Sequence, residues 1–252
     1  MKISVVTLFP DMISGFLNES ILKRAQEKKR VEIEVVNLRD FSIDSYGTVD
    51  DRPYGGGAGM VMRADVLGAA IKKVKDSNSK VILTSAKGNR FDQQKAQELA
   101  RLDHVVIIAG HYEGVDERVM EHIDEEISIG DYVLTGGEIP AAVIIDSVVR
   151  LIPGVLKKNE ATQEESFYEV SVQELIPIVG ETGILSHLKK NNIISVRLLE
   201  YPQYTRPEEF AGKKVPDELL SGDHEKIRTY RLKKAYEETI AKRPDLLDIK
   251  KA

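Results

Sequence analysis

No cysteine occurs among the 252 residues, which excludes disulfide scaffolds, thiolate zinc sites and cysteine nucleophiles together and agrees with a reducing compartment. No apolar run approaches the length needed to cross a bilayer. The first ten residues start as an apolar strand-like run that meets Asp11, without the basic region, long apolar stretch or cleavage site of a secretory signal. A soluble, cytoplasmic protein with no membrane partner is therefore expected. Excess positive charge is also missing. The 36 Lys and Arg stand against 41 Asp and Glu, a formal net charge of -5, the wrong sign for coating a nucleic acid by bulk charge. Any RNA contact must be local, and the best basic stretch is Lys226, Arg228, Arg231, Lys233 and Lys234, interleaved with Tyr230 and Tyr236. That stretch reads equally as the solvated face of a surface helix.

What is present is an alternation of strand-like and helix-like segments. Residues 3–8 form a continuous apolar strand, and Pro10 opens a helix reaching about residue 29, with Leu17, Ile21 and Leu22 at helical spacing. Residues 31–38 alternate. Strands are predicted at 81–85 and 105–109, the second a β-branched run of the kind buried on both faces of a parallel sheet. Helices are predicted near 64–75 and 92–101, and residues 138–150 read as a last helix with Pro140 in its first turn. Together these make an α/β domain over 1–156. A polar linker over 157–170 carries the domain boundary, and 171–252 form a smaller, mainly helical domain. In that second part Pro207, Pro216 and Pro244 are breaks, and the strongest helical pattern runs over 224–241.

Two glycine-rich loops hold most of the functional information. The first, residues 49–60, contains Gly55, Gly56, Gly57 and Gly59, which let backbone N–H groups approach a ligand closely. It lacks the lysine followed by Ser or Thr of a phosphate loop, and it also reads as a plain flexible turn. The second spans 129–138 and is preceded by a companion at 110–118. Both segments follow strands, and ligands of open α/β sheets bind beyond the carboxyl ends of strands, so a small-molecule pocket competes there with ordinary turn chemistry.

The strings DDRPYGGGAGM from Asp50, YEGVDERV from Tyr112, DEEISIGDYVLTGGEIPA from Asp124 and RLIPGV from Arg150, in that order, closely resemble the bacterial tRNA (guanine-N1)-methyltransferase family. YTRP from Tyr204 and LLSGDH from Leu219 match it too, so the likeness covers nearly the whole chain. The resemblance implies a trefoil-knotted α/β methyltransferase domain of the SPOUT superfamily and a homodimer with active sites at the subunit interface. It implies a helical C-terminal domain that helps hold tRNA. The implied activity is methyl transfer from S-adenosylmethionine to N1 of guanosine 37 in tRNA, next to the anticodon, which supports reading-frame maintenance. By similarity, the cofactor contacts are Ser85, Gly110, Tyr112, Glu113, Gly114, Ile129, Gly130, Tyr132, Leu134, Gly136, Gly137 and Pro140. Two readings from other classes stand beside this one: a knotted methyltransferase acting on another RNA, and a catalytically silent RNA-binding module.

The chemistry requires a base, because guanine N1 carries a proton and is a poor nucleophile until that proton leaves. The resemblance assigns this task to Glu165, directly before Ser166-Phe167, where the family commonly has Asp. It assigns Arg150, before the Ile-Pro-Gly turn, to the negative charge that develops on guanine O6. Without the resemblance, Arg150 reads as a cation at a helix C-terminus and Glu165 as a solvated linker residue beside Glu164. The family likeness also implies magnesium, for which Glu113 with Glu165 offer oxygen ligands, although two carboxylates distant in sequence define no metal site. Three departures from the family pattern stand out. His111 occupies a position usually held by Arg, residues 44–47 lack basic side chains, and 171–196 have the character of an insertion. That segment carries Leu175, Ile176, Ile178, Ile184, Leu185 and Leu188, and is expected to pack as a helical spacer or lid.

Overall fold

The structure, a computed structural model, describes residues 1–157 and 164–247. Residues 158–163, inside the polar segment expected to carry the domain boundary, lie outside the described residues. The chain divides into two compact units, Met1–Asn159 and Glu160–Ala252.

In the first unit, β1 (Lys2–Thr7) leads through α1 (Pro10–Leu17) and α2 (Ser20–Glu27) to β2 (Glu32–Asn37). The periodicity predicts one helix here, and the structure contains two. Asn18 ends the first, its backbone N–H and its side-chain amide both donating to Ser14 O. Ser20 then takes a positive φ of 50°, and Gln26 donates to the orphan carbonyl of Leu17 at 2.8 Å. A short hairpin follows, β3 (Asp50–Asp51) with β4 (Val61–Met62), and then α3 (Ala64–Val74), β5 (Ser79–Arg90) and α4 (Gln93–Leu99). Asp92 caps α4 by accepting from Lys95 N. The unit finishes with β6 (His104–Ala109), β7 (Glu125–Ser128) and α5 (Glu138–Val149).

The central sheet has the order β2-β1-β6-β5-β7, and every pairing in it is parallel. Every residue of β6, at the middle of the sheet, is buried, as its unbroken β-branched run predicts. Helices cover both faces. One layer packs α1, α2, α4 and α5 against Ile3, Val5, Ile82, Val105 and Ile107; the other packs α3 against Val6, Val81, Leu83, Val106 and Ile108. Alternate residues of one strand thus feed opposite cores, which follows from the two-residue period of β structure. β5 is longer than its apolar run. It continues through polar residues to Arg90, and its register with β7 shifts between Thr84 and Asn89.

The second unit contains β8 (Tyr168–Ser171), α6 (Val172–Val179), α7 (Gly183–Lys190) and β9 (Ser195–Leu198). A two-residue hairpin, β10 (Glu209–Phe210) with β11 (Lys213–Lys214), leads to α8 (Asp217–Leu220) and α9 (His224–Lys242). β8 and β9 pair antiparallel and enclose the segment with the character of an insertion, so 171–196 form a helical pair held at its base by a two-stranded ladder. Ser171 and Thr182 cap the two helices through their hydroxyls. Leu175, Leu185 and Leu188 are fully buried with Leu232, Ala235 and Tyr236 of α9, and Thr182 Oγ1 lies 2.9 Å from Tyr236 OH.

The segment is therefore part of this unit's core, and Leu185→Ala is expected to destabilise the unit by about 2–5 kcal/mol. Urea denaturation followed by circular dichroism checks this; an unchanged midpoint would contradict the described packing.

Candidate functional site

The parallel sheet directs the carboxyl ends of β6 and β7 toward the same side, and the loops that leave them meet there. Gly137 N donates to Gly110 O at 2.7 Å, and His111 forms an isolated antiparallel bridge with Gly136. Beneath the contact lies Thr84, whose hydroxyl donates to Ile108 O at 3.1 Å and accepts from Gly110 N at 3.3 Å. Gly137 is needed here for space. A Cβ on it would stand 2.1 Å from Thr84 Oγ1 and 2.6 Å from Gly110 N. Gly130 takes a φ of 155°, and Ser128 closes that turn by donating to Gly130 O and accepting from Gly130 N. Ile129 O receives the Tyr132 hydroxyl at 3.4 Å.

These loops enclose a cavity of about 370 Å³, within the size range of small-molecule sites. Every residue that the family likeness assigns to the cofactor lines it, from Ser85 after the apolar part of β5 to Pro140 in the first turn of α5. His111 lines it as well, and so do Met120, Ile127 and Thr135, which no sequence signal singled out. Tyr112 sits on its wall with a positive φ of 59°. For a non-glycine residue that backbone costs on the order of 1–3 kcal/mol and persists only where surroundings impose it. Burial pushes the Tyr112 hydroxyl pKa up, and the charge of Asp50 adds to the effect.

The first glycine loop does not line this cavity. It connects β3 to β4, with Gly55, Gly56, Gly57 and Gly59 all at positive φ, so its glycines serve the backbone path. It is nonetheless tied to the second loop system: Glu113 N donates to Met60 O, Met62 N to Gly114 O and Asp116 N to Met62 O, each at 3.0 Å. The Glu113 side chain lies over Gly59, where a Cβ would come within 2.5 Å of its Oε1. Two motifs that looked independent in sequence are thus one structure. A broader cleft of about 1300 Å³ is lined by residues of this hairpin and by Arg63, Lys72, Arg118 and His122 among others. Two of its cations are neutralised locally, Arg63 by Asp65 at 2.6 Å and Arg118 by Asp116 at 2.7 Å. The Arg118 guanidinium, helped by the Arg118 N–H, lowers the Asp116 carboxyl to about 2.

Arg150 and Glu165 belong to different units. Arg150 caps the C-terminus of α5, its N–H donating to Asp146 O at 3.3 Å. Glu165 lies just ahead of β8, its carbonyl accepting from Tyr168 N at 3.1 Å. Glu113 and Glu165 are likewise split between the units, and among the described residues no group of three or more His, Cys, Asp or Glu side chains gathers that could hold a metal ion. No described helix is long and apolar enough to cross a membrane.

A parallel α/β sheet whose glycine-tight loops close a cavity beyond the strand ends defines an α/β domain with a small-molecule site. The family described as tRNA (Guanine-1)-methyltransferase TrmD matches residues 1–249. Relatives named tRNA (guanine-N(1)-)-methyltransferase include that of Dictyoglomus turgidum, 51% identical over 248 residues, with 98% of this chain and 90% of that protein covered. That of Syntrophomonas wolfei is 49% identical over 247 residues, with 98% and 90% covered, and that of Bacillus pumilus 48% over 252 residues, with 98% and 92%. The chain belongs to the tRNA (guanine-1)-methyltransferase family.

Two outcomes follow from the geometry. Gly137→Ala is expected to abolish small-molecule binding in the cavity by forcing the loops apart, measured by calorimetric titration with S-adenosylhomocysteine; retained affinity would contradict the described contact. Arg118→Met is expected to return the Asp116 carboxyl from about 2 toward the ordinary 3.8, as followed in an NMR titration of side-chain carboxyl carbons.

Proposed function

We propose that this protein transfers a methyl group from S-adenosylmethionine to N1 of guanosine 37 in tRNA, working in the cytoplasm to maintain the reading frame. The observation that carries the reading is that all the residues matched to cofactor contacts converge on one cavity of about 370 Å³ at the strand ends. Its walls suit a nucleoside. Backbone N–H and C=O groups of the loops can read an adenine edge, and glycines leave room for the close approach of chain to ligand. When bound, S-adenosylmethionine supplies a methyl group already electrophilic on its sulfonium.

The protein's part is then to orient the two reactants and to expose a nucleophile. Glu165 takes the proton from guanine N1. A carboxylate is a weak base for that proton, so the charge left on the guanine must be stabilised elsewhere. Arg150 does this by donating hydrogen bonds to O6 from a guanidinium that stays cationic.

The same reading includes a trefoil knot in the cofactor loops, where Gly110 and His111 pair with Gly137 and Gly136. It also includes a homodimer. α1 and α5 pack together, and Met12, Phe16, Ile139 and Val143 on them are 40–52% exposed, an apolar face suited to a second copy. In the second unit, α9 offers tRNA its basic stretch, with Arg231 stacked 4.8 Å over the Tyr201 ring and Tyr230 carrying Lys234 at 5.9 Å.

Glu165→Ala is expected to lower methyl transfer at least about a hundredfold while leaving cofactor affinity within about threefold. Arg150→Ala is expected to lower kcat on a similar scale. The assay uses tRNA transcripts with G or A at the target position and mass detection of methylguanosine. Transfer to the G transcript alone supports the reading. Methylation confined to ribosomal RNA would instead favour a knotted methyltransferase of another specificity, and no transfer at all would favour a silent RNA-binding module.

A further inference from the structure

Glu138 is the one acidic side chain among the described residues that is almost wholly buried, at 1% exposure. It sits in the first turn of α5, directly after the Gly136-Gly137 contact. Its Oε1 accepts the hydroxyl proton of Thr7 at 2.8 Å, and Thr7 Oγ1 in turn accepts from Phe9 N at 3.0 Å, so that hydroxyl is fully used. Its Oε2 faces His111 Nδ1 at 3.6 Å, and among the described residues neither atom has a hydrogen-bond partner. The imidazole is held by its neighbours. Phe9 lies 4.9 Å from it, the Tyr112 ring meets it edge-on at 4.8 Å, and His111 N donates to Met62 Sδ at 3.2 Å.

A carboxylate buried this deeply with one neutral donor is costly unless a proton-bearing partner compensates it. The helix N-terminus contributes to that compensation but would do so equally for an exposed side chain. His111 is the basic group in reach. Two bare acceptors facing each other would repel, so a proton belongs on Nδ1. Gly136 is threaded between the two: a Cβ there would stand 2.4 Å from both Glu138 Oε2 and His111 Nδ1. The pair therefore clasps the backbone of one cofactor loop while His111 belongs to the other.

We propose that Glu138 is a positioning residue of the cofactor site, acting through His111: the buried pair sets the spacing between loops 110–114 and 130–137 and thereby the affinity for the methyl donor. The proposal rests on the reading of the cavity as the S-adenosylmethionine site. It assigns a function to the histidine at a position where the family resembled commonly carries Arg, since either side chain can place a proton-bearing nitrogen against the carboxylate.

The test is a double-mutant cycle on the full chain, with S-adenosylmethionine affinity read by calorimetry and KM and kcat by methyl transfer. His111→Phe keeps the ring packing but strands the carboxylate, and is expected to weaken binding about tenfold or more; adding Glu138→Gln removes the stranded charge and is expected to restore affinity to within about threefold. kcat at saturating donor is expected to change less than about twofold while KM carries the effect. His111→Arg, which keeps a donor beside Glu138, is expected to match the parent within about threefold and guards against misfolding of the Phe variant. Losses that multiply in the double variant, or an Arg variant as weak as the Phe variant, overturn the pairing. A parent that fails to bind S-adenosylmethionine overturns the reading of the cavity instead.

Discussion

The contact on which the rest of the site depends is the meeting of two loops over Thr84, where Gly137 N reaches Gly110 O. Those backbones approach only because Gly137 carries no Cβ, and the Thr84 hydroxyl bridges the loop to the strand below. From this point the cavity follows. The loop after β6 supplies one wall, β7 and the loop after it another, and α5 starts immediately beyond, its first turn bringing Pro140 to the cavity. The hairpin of the first glycine loop closes the arrangement through Met60 and Met62 without touching the cavity itself.

Charge is used locally throughout the molecule, in keeping with its acidic balance. Lys80 and Lys95 both reach Glu125 and Glu98, joining β5, α4 and the start of β7. Burial tends to raise the Glu125 pKa, yet the two lysines hold it below the ordinary value. On α9 the basic stretch is similarly engaged: Arg228 pairs with Glu174, Lys234 with Glu237 and Lys226 with Asp223. These exposed pairs contribute little stability.

Much of the first unit, and the long helix of the second, follow from local signals. The apolar run of β6, the helical spacing in α3, Pro140 near the start of α5 and, in the second unit, the helical spacing in α9 each carry such a signal, and each element lies where that signal puts it within a few residues. The misses have local causes too. Asn18 and Ser20 break a helix inside an uninterrupted apolar period, because a side-chain amide and one left-handed residue outweigh it. β7 has only four residues and two of them are Glu; the charge of Glu125 is compensated by lysines distant in sequence.

Sequence by itself determined the composition limits, the main strands and helices of the first unit, and the family, since these reside in residue types, local periodicity and long matched strings. It also marked the residues that line the cavity, though only through that likeness. Tertiary structure alone decided that the two glycine loops form one system, that the segment 171–196 is core in the second unit, and that Glu138 faces His111. The physical reason is the same in each case. Close backbone approach, burial and charge compensation are relations between atoms far apart in the chain, and no local pattern of residues encodes the distance between them.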